Sequence, residues 1–554
     1  MQKWRQALSI GLCAALAVGM LGGCTKSKTQ GSSSANTSNA KVPDYMNAVG
    51  QFPITKDKIT VKAMVSENSE MAKDWNTMEA FKRLEQLTNI HWDFEYVNSA
   101  NFLNQLSVRF SGNDLPEVCL MGGMSTDTEE TYGPTGKLAD LTDLIDKYAP
   151  HLKKVREKIP EIKLAGTASD GKVYGLPCYA ESSANVPALD FFDEKYMNNV
   201  GITKIPTTTD ELYTMLKAFK EKDMNKDGKN DDIPMSTIAS TAGGCGSLRQ
   251  VYQTAFQGYT GGNASDNWDV DSKGKVIYLP QEKGYKEYLA YMHKLYAEGL
   301  LDHDFDTQTS DQIKAKIQSG KVGVYVGQTP TILAGTALAN DKQVCMPPLT
   351  TPTNSKKVAL APTYLSTTNG VITTACKHKE AVMSWFDLFY RTEDEAVDGF
   401  CGKTSLLGYE GEQWKYTDSA KTQYQFIDPV KSYVQLNQTV MITFGLPAYI
   451  SNMAVQTGNT LMQDKIQGNK DQKASYYKKA YPVNARLTKD EADQSATLTT
   501  DLDNYVNMME TKFINGQEDL NKFDDFVKNL DKYGVKDLKK IKQAAYDRYE
   551  KAAK

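Results

Sequence analysis

The chain has 554 residues, of which 40% are hydrophobic and 24% charged, so it can bury a sizeable core and is not wholly disordered. At about 150 residues per domain, this length corresponds to about three to four folding units. The 68 acidic residues outnumber the 64 basic ones, which argues against nucleic-acid binding, because that needs a basic face to displace phosphate counterions.

Residues 1–23 have the pattern of a secretory signal. Lys3 and Arg5 form a basic start, and an apolar run follows from Ala7 to Leu21. The run is too short to span a membrane comfortably, which takes about twenty residues. It ends in small residues ahead of Cys24 and resembles the lipobox of bacterial lipoproteins, in which the cysteine thiol receives a diacylglycerol and the signal is cut before it. The alternative is an ordinary signal peptide with an incidental cysteine.

Residues 24–54 are predicted to be a lipid-anchored flexible tether. Positions 25–42 are mostly Ser, Thr, Gly, Asn and Lys, a composition that buries too little apolar surface to offset the backbone entropy of folding. No later apolar run approaches the length of a membrane span. We therefore expect a protein held through Cys24 on the extracellular face of the cell membrane.

Six cysteines remain once Cys13 leaves with the signal and Cys24 carries the lipid. The two that lie closest in sequence are 25 residues apart, and no CxxC motif occurs. We expect buried free thiols and no disulfide framework. The six are Cys119, Cys178, Cys245, Cys345, Cys376 and Cys401.

Strand and helix patterns alternate from residue 58 onward. The first five predicted elements are a strand at 58–65, a helix after Asn76, a strand at 92–96, a helix at 102–110 and a strand at 115–120. This order and spacing indicate βαβ units and a parallel sheet. Later helices are predicted at 209–222, at 285–296 and in the last fifty residues. The expected fold class is α/β with C-terminal helices.

Five segments carry a family resemblance. They are SGNDLPEV at 111–118, DGKVYGLP at 170–177, PTTTDEL at 206–212, LYAEGL at 295–300 and KFING at 512–516. In this order, and together with the lipobox, they resemble the extracellular solute-binding lipoproteins of carbohydrate ABC transporters, of the family 1 type in its large Gram-positive form. The resemblance extends over most of residues 55–550.

The resemblance implies a two-lobed, periplasmic-binding-protein-like fold of type II, with a sugar-sized cleft that closes by a hinge. The chain is expected to cross between lobes near Cys178–Pro187 and again near Thr363–Thr368. The expected lobes are 55–180 plus 365–400 for lobe 1, and 181–364 plus 401–554 for lobe 2.

The resemblance also implies a transport function without chemistry on the ligand. The protein would capture a sugar or oligosaccharide outside the cell and deliver it to the permease subunits of an ABC transporter, itself remaining a monomer. One alternative is an exported glycan-active hydrolase or lyase, since 68 acids make carboxylate pairs inevitable. Another is a glycan-sensing or adhesion lipoprotein. We expect no enzyme, because no GxSxG, HExxH or Walker A motif occurs.

An acidic loop follows the predicted helix at 209–222. Side-chain oxygens at its first, third, fifth and ninth positions, with Gly228 at the sixth, match the calcium loop of an EF-hand. Its twelfth position is Pro234 and not the usual Glu. In similar binding proteins an acid directly after the ninth position completes the shell. We expect one structural calcium, the alternative being a solvated acidic turn. The predicted ligands are Asp223, Asn225, Asp227, the carbonyl of Lys229, Asp231 and Asp232.

A sugar site needs aromatic faces for the apolar side of the rings, and polar groups for the hydroxyls. The candidates lie ahead of a helix, at the two expected crossings, and in loop-rich stretches of lobe 2. They are Trp75, Tyr179, Glu181, Arg249, Gln253, Trp268, Tyr364 and Trp414. For each aromatic the alternative is a core position. Trp92 and Trp385 lie in apolar patterns and are assigned to the core.

Overall fold

The structure is a computed structural model that describes residues 42–553 except 68–71, 183–188, 240–246, 261–266, 328–329, 335–340, 363, 429–435, 437, 441–444, 459 and 483. The signal, Cys24 and most of the predicted tether lie outside the described residues, as does Cys245. Residues 41–554 form one compact unit.

A six-stranded sheet forms the first half of the fold. Its strands, in spatial order, are β15 (Ala448–Met453), β4 (Gly175–Ser182), β12 (Leu365–Ile372), β3 (Val118–Leu120), β1 (Ile59–Glu67) and β2 (Ile90–Asn98). β12 is antiparallel to both neighbours, whereas β1 is parallel to β2 and β3, and β15 is parallel to β4. Five strands therefore end at the same edge of this sheet.

A four-stranded sheet forms the second half. Its order is β10 (Gln343–Cys345), β5 (Leu189–Asp193), β9 (Val322–Gly327) and β6 (Ile233–Ser236). β5 runs in the opposite direction to the other three strands. Phe191 and Phe192 are adjacent on β5 and both fully buried, but they pack into different hydrophobic clusters. Successive strand residues point to opposite faces, so both faces of this sheet are covered.

Short strands complete the β-structure. They are β7 (Trp268–Val270), β8 (Val276–Tyr278), β11 (Ala359–Leu360), β13 (Trp414–Tyr416), β14 (Gln423–Phe426), β16 (Val455–Gln456) and β17 (Tyr477–Lys478). β11 pairs with β17, β7 with β8, and β13, β14 and β16 form a three-stranded sheet.

Helices surround the sheets. In the first part of the chain they are α1 (Glu79–Thr88), α2 (Phe102–Ser111), α3 (Thr126–Tyr132), α4 (Thr142–Tyr148), α5 (Pro150–Lys158), α6 (Pro160–Ala165), α7 (Glu194–Asn199), α8 (Thr209–Glu221) and α9 (Thr254–Gln257). In the second part they are α10 (Tyr285–Ala297), α11 (Ser310–Gln318), α12 (Pro330–Ala334), α13 (Lys379–Asp387), α14 (Thr404–Leu407), α15 (Thr460–Gln472), α16 (Lys489–Ile514), α17 (Phe523–Leu530) and α18 (Val535–Ala553). Among the described residues, no helix combines the length and apolar character that crossing a membrane requires.

Two large hydrophobic cores hold these layers together. The first core packs the six-stranded sheet against helices including α1 and α13, and contains Trp92 and Trp385, as expected. The second core lies around α8, α10 and α16. Buried side chains between Phe400 and Ala454 belong to the first core, whereas residues 401–554 were predicted to belong to lobe 2. The chain therefore stays with the first core from β12 until it enters the C-terminal helices.

The predicted helix capping has a mixed outcome. Thr208 caps α8 by accepting a hydrogen bond from the backbone N–H of Glu211 at 3.1 Å, as predicted. Asn76 does not cap α1, because its side-chain amide donates to the carbonyl of Trp92 at 3.0 Å and the helix begins three residues later. The five cysteines that the structure describes are free and buried, as expected.

Candidate functional site

The chain connects the two large sheets between β4 and β5. β4 ends at Ser182 and β5 begins at Leu189, a stretch that can span at most about 25 Å. β6, β9 and β10 end at the edge where β5 begins, because β5 runs opposite to its neighbours. In open α/β sheets, ligands bind outside the carboxyl ends of the strands. The space between these two edges is therefore the candidate site.

Three tyrosines form a cluster at the carboxyl edge of the six-stranded sheet. Tyr179 lies in β4, Tyr449 in the parallel strand β15, and Tyr364 directly before β12. The ring centroid of Tyr179 is 6.0 Å from that of Tyr364 and 6.2 Å from that of Tyr449. Burial raises the pKa of Tyr179 to about 12, so its hydroxyl stays protonated at neutral pH. The cluster unites two of the predicted aromatic residues.

The hydroxyl of Tyr449 connects this cluster to charged groups. It donates a hydrogen bond to Oε1 of Glu181 at 3.1 Å and accepts one from Nζ of Lys158 at 3.3 Å. Glu181, a predicted site residue, is thereby held beside the tyrosines. Tyr449 was not among the residues predicted for the site. It joins the cluster because β15 pairs with β4 and sets Tyr449 opposite Tyr179. In a sugar site, aromatic rings contact the apolar face of the sugar ring, and a carboxylate accepts hydrogen bonds from its hydroxyls.

The facing part of the second half carries a buried ion pair. Nζ of Lys473 lies 3.0 Å from Oδ1 of Asp190 in β5. Burial alone would lower the pKa of Lys473, but the carboxylate of Asp190 outweighs it and raises that pKa. Nearby, the hydroxyl of Tyr477 donates to the side chain of Asn469 at 2.7 Å. Lys473, Asn469 and Tyr477 line one narrow cavity beside Leu189 at the start of β5.

Three buried polar atoms in this region have no hydrogen-bond partner among the described residues. They are Oδ2 of Asp190, the side-chain oxygen of Gln250 and the hydroxyl of Tyr252. The cavity that Gln250 lines has a volume of about 20 Å³, which is room for about one water molecule. Unpaired buried polar groups are costly, and of the three residues only Gln250 lines this cavity, so its side-chain oxygen is the one that a water there would reach.

Three predicted tryptophans lie in the cores. Trp75 packs on Phe81 with ring centroids 5.6 Å apart, and Trp268 packs on Tyr278 at 4.5 Å. Trp414 donates its indole N–H to the carbonyl of Gly408 at 2.9 Å. Each exposes at most 2% of its surface. The structure therefore does not bring these rings together with the tyrosine cluster.

Arg249 and Gln253 lie on a single π-helical turn, Arg249–Gln253, with other partners. Nε of Arg249 donates to Oε2 of Glu510 in α16 at 2.9 Å, and the hydroxyls of Tyr285 and Tyr288 donate to the same carboxylate. Gln253 donates to the side chain of Gln257 at 2.6 Å. Sequence reasoning missed Glu510, because 261 residues separate it from Arg249.

The acidic loop after α8 is folded on its own side-chain oxygens. Asp223 accepts from the N–H of Gly228 at 2.7 Å, Asn225 from that of Asp227 at 2.9 Å, and Asp227 from that of Lys229 at 2.9 Å. Gly228 has a left-handed φ of +81°, which permits the sharp turn. These bonds place the oxygens of alternate residues inside the loop, as an EF-hand loop requires.

Two acids at the end of this loop differ in their environment. Oδ2 of Asp232 accepts from the N–H of Met224 at 2.8 Å, whereas its Oδ1 is buried without a partner in the described chain. Asp231 is paired with Lys321 at 2.5 Å. Within the described residues, no three Asp, Glu, His or Cys side chains are arranged so that they could hold a metal ion as they stand. The donor types suit calcium, but the carboxylates would have to exchange their present partners.

Comparison with known proteins gives a consistent result. Residues 69–396 match the family model described as bacterial extracellular solute-binding protein. The fructooligosaccharide ABC transporter substrate-binding protein FusA of Streptococcus pneumoniae is 28% identical over 539 residues, 93% of this chain and 95% of that protein. The polygalacturonan/rhamnogalacturonan-binding protein YtcQ of Bacillus subtilis is 27% identical over 59% of this chain and 57% of its own. Lipoprotein LipO of the same species is 27% identical over 56% and 54%.

Solved structures agree in fold. FusA of S. pneumoniae in complex with kestose superposes with a TM-score of 0.73 at 25% identity, covering 89% of this chain and 99% of that one. An EF-hand mutant of FusA in complex with fructo-nystose gives the same values. A solute-binding protein of Bifidobacterium longum infantis, described as binding HMO and associated with an ABC transporter, has a TM-score of 0.77 at 22% identity and covers 89% and 99%.

Proposed function

The chain belongs to the family of bacterial extracellular solute-binding proteins, and from this we propose that it captures a sugar or short oligosaccharide outside the cell. It delivers this ligand, chemically unchanged, to the permease subunits of an ABC transporter. The observation that carries the proposal is the cluster at the edge of the six-stranded sheet. There the half-buried Tyr364 and Glu181 lie beside Tyr179 and Tyr449, whose rings are buried in the first core. FusA, matched over nearly the whole chain, is a binding protein for fructooligosaccharides.

The ligand lies between two lobes in this proposal. The lobes follow the division 55–180 plus 365–400 and 181–364 plus 401–554, except that the segment from Phe400 to Ala454 moves with the first core. Tyr364 is only half-buried, so its ring is open to a sugar, and Glu181 accepts hydrogen bonds from hydroxyls. Trp75, Trp268 and Trp414 support the lobes from within the cores.

The first test measures binding. Isothermal titration of the mature protein with kestose and longer fructooligosaccharides should detect a complex. The matched pair of variants is Tyr364→Ala at the cluster and Tyr213→Ala on α8, both half-buried tyrosines. Tyr213 packs against the second core and donates to Glu298 at 2.6 Å, away from the cluster. Losing one aromatic contact should weaken binding by about three- to tenfold for Tyr364→Ala, and leave it within twofold for Tyr213→Ala. Equal effects of the two variants would contradict the placement of the site.

The second test separates binding from catalysis and measures closure. Solution scattering should show a smaller radius of gyration with ligand than without, because two lobes close around a bound solute. The oligosaccharide should be recovered intact after prolonged incubation. Recovery of cleaved product would replace the proposed binding function with a hydrolytic one.

The protein is proposed to act while anchored to the membrane. In this proposal Cys24 carries the lipid and the polar segment behind it is the tether, which holds the globular part on the extracellular face. The extracellular family and the relative named as a lipoprotein support this location.

We also propose one structural calcium ion in the loop 223–232. Asp223, Asn225, Asp227 and Asp231 would offer side-chain oxygens, Lys229 its carbonyl, and Asp232 the buried Oδ1 that lacks a partner. Calcium binds through such oxygen donors and would fix the direction in which the chain leaves α8. The EF-hand named for the FusA mutant supports this reading.

A further inference from the structure

A cavity of about 230 Å³ lies between α4, α5 and α6, away from the proposed sugar site. Val173, two residues before β4, forms part of its wall, whereas Tyr179 is the fifth residue of that strand. At about 3.3 Å per residue, Val173 and Tyr179 are about 20 Å apart. The residues that line the cavity are distinct from those of the tyrosine cluster, although Lys158, at the end of α5, contacts Tyr449.

Charged side chains dominate the lining of this cavity. Lys153, Arg156 and Lys163 contribute three positive charges, and Asp146 and Glu157 contribute two negative ones. Asp146 is already paired with Lys153 at 3.1 Å. The remaining charges are those of Arg156, Lys163 and Glu157, so one positive charge is in excess.

Arg156 is the unusual member of this set. Its Nη1 is buried and has no hydrogen-bond partner in the part of the chain that the structure describes. Burial lowers the pKa of its guanidinium, against the opposing effect of nearby Tyr390 and Glu129. Buried guanidinium nitrogens are usually paired with a carboxylate or hydrogen-bonded to carbonyls. Here Nη1 has hydrogen bonds left to donate, so it is available to an anion.

The backbone makes room for this guanidinium. A Cβ atom at Gly166, directly after α6, would lie 2.7 Å from Nη1 of Arg156 and 3.0 Å from the carbonyl of Ile162. A side chain at this position would therefore displace the guanidinium. The glycine therefore gives the guanidinium room beside the C-terminal end of α6.

We propose that this cavity binds a small tetrahedral oxyanion, phosphate or sulfate, on Arg156 and Lys163. The volume equals that of about eight water molecules, enough for a phosphate ion and a few ordered waters. The planar fork of an arginine matches the oxygens of such an anion in a bidentate manner. Lys163 adds a charge at the rim, and the Lys153–Asp146 pair frames the opposite wall. This site needs no sugar and leaves the transport function unchanged.

The test uses the mature protein without sugar. Its melting temperature is measured with inorganic phosphate, sulfate, acetate or chloride at equal ionic strength, and phosphate affinity is obtained by ³¹P line broadening. Phosphate and sulfate should raise the melting temperature, and chloride should not. Arg156→Gln should weaken phosphate binding about tenfold or more, because a charge-assisted hydrogen bond is lost. Lys163→Gln should weaken it by about threefold.

Lys154→Gln is the matched control, since Lys154 lies on the same helix but pairs with Glu395 outside the cavity. It should leave phosphate affinity within twofold. Lys163 is exposed, so Lys163→Gln should fold normally. It therefore tests the proposal even if Arg156→Gln fails to fold. An equal response to chloride, or unchanged phosphate affinity in Lys163→Gln and Arg156→Gln, would overturn the proposal. Kestose titration of the same variants shows separately whether sugar binding is intact.

Discussion

At the scale of single residues, Arg486 links the two halves of the molecule by charge. It lies beside Tyr481 and Ala485, which pack in the second core. Its Nη2 is 2.8 Å from Oε2 of Glu129 in α3, and its Nε donates to the carbonyl of Ala165 at 3.0 Å. Glu129 is fully buried, and its other oxygen accepts from the hydroxyl of Thr368 at 2.7 Å.

Removing this arginine should be strongly destabilising. Arg486→Met leaves Glu129 as a buried carboxylate without its counter-charge, and the free energy of unfolding should fall by about 3–5 kcal/mol. Urea denaturation measures the loss. Adding Glu129→Gln to the same variant should recover much of it, because the uncompensated charge is then gone.

Arg83→Met is the comparison for this prediction. Arg83 also pairs with two carboxylates, those of Glu79 and Glu412, but at the surface. Its loss should cost at most about 1 kcal/mol. If both arginine variants lose the same stability, burial is not what makes the Arg486 pair important.

The environment of a single residue could be predicted from the sequence only where the local hydrophobic pattern determines whether that residue is buried. Trp92 and Trp385 sit in apolar patterns and are buried as expected. Arg249 stands in a loop-rich stretch and resembled a sugar ligand, yet its partner Glu510 comes from a helix 261 residues later. Arg486 and Glu129 are 357 residues apart. No periodicity or motif contains such pairings, because tertiary packing creates them.

At the scale of elements, the N-terminus of α8 carries a carboxylate with an altered pKa. Glu211 accepts hydrogen bonds from the hydroxyl and the N–H of Thr207, each at 2.7 Å, and from Nζ of Lys204 at 3.1 Å. These bonds, the one from the Thr207 hydroxyl first, lower the pKa of Glu211 to about 2. The ionised carboxylate therefore contributes to stability above its unfolded pKa of about 4.3.

This contribution should disappear in acid. As pH falls from about 4.3 toward 2, the folded protein loses what the ionised Glu211 adds. Glu211→Gln should therefore be less stable than the natural protein at pH 6, by about 1 kcal/mol at most, because solvent screens this exposed group. Urea unfolding between pH 6 and pH 3 should show the difference shrinking. A constant difference across that range would contradict the assignment.

The loop after α8 gives the calcium prediction. EDTA should lower the melting temperature, and calcium should restore it better than magnesium, which demands a tighter octahedron. An ion that binds only the folded state stabilises by about 2.7 kcal/mol at one hundred times its dissociation constant. Asp227→Ala should abolish the response. Asp271→Asn is the control, because Asp271 caps a similar turn, accepting from the N–H groups of Lys273 and Lys275. A melting temperature that EDTA leaves unchanged would make the loop an ordinary acidic turn.

Elements were more predictable than residues. The first strand, predicted at 58–65, is Ile59–Glu67, and the helix predicted at 209–222 is Thr209–Glu221. In both segments the hydrophobic residues recur with a clear period, and a turn or capping residue marks a boundary of the element. The parallel pairing of β15 with β4 was not predicted, because the sequence of a strand does not indicate which strand will lie beside it.

At the scale of the whole molecule, the type II solute-binding fold predicted from the resemblance is confirmed by the superposition on FusA. The division into lobes was harder to place. The chain leaves the first core at β5, returns at β12 and leaves again after β16, near Thr460. The expected lobes, 55–180 plus 365–400 and 181–364 plus 401–554, place the last of these crossings near residue 400. Its position leaves no mark in the composition, because both halves are built from the same α/β elements.

The membrane anchor is also tested on the whole protein. Cys24→Ser removes the thiol that would carry the lipid, so the protein should be released from the membrane or keep its signal attached. Cell fractionation and the intact mass of the purified protein measure both outcomes. A Cys24→Ser protein that stays in the membrane at the normal mature mass would contradict lipid attachment at this residue.

The strand order has a consequence for how the protein is made. β4 ends at residue 182, but its ladder partners are β12, which begins at residue 365, and β15, which ends at residue 453. During synthesis from the N-terminus, about half of the chain that follows β4 must therefore be made before either neighbour of β4 exists. Long-range pairing of this kind slows folding and leaves strand edges open to aggregation. Chains truncated before residue 365 should accumulate as unfolded or aggregated material, because β4 then lacks both of its neighbours.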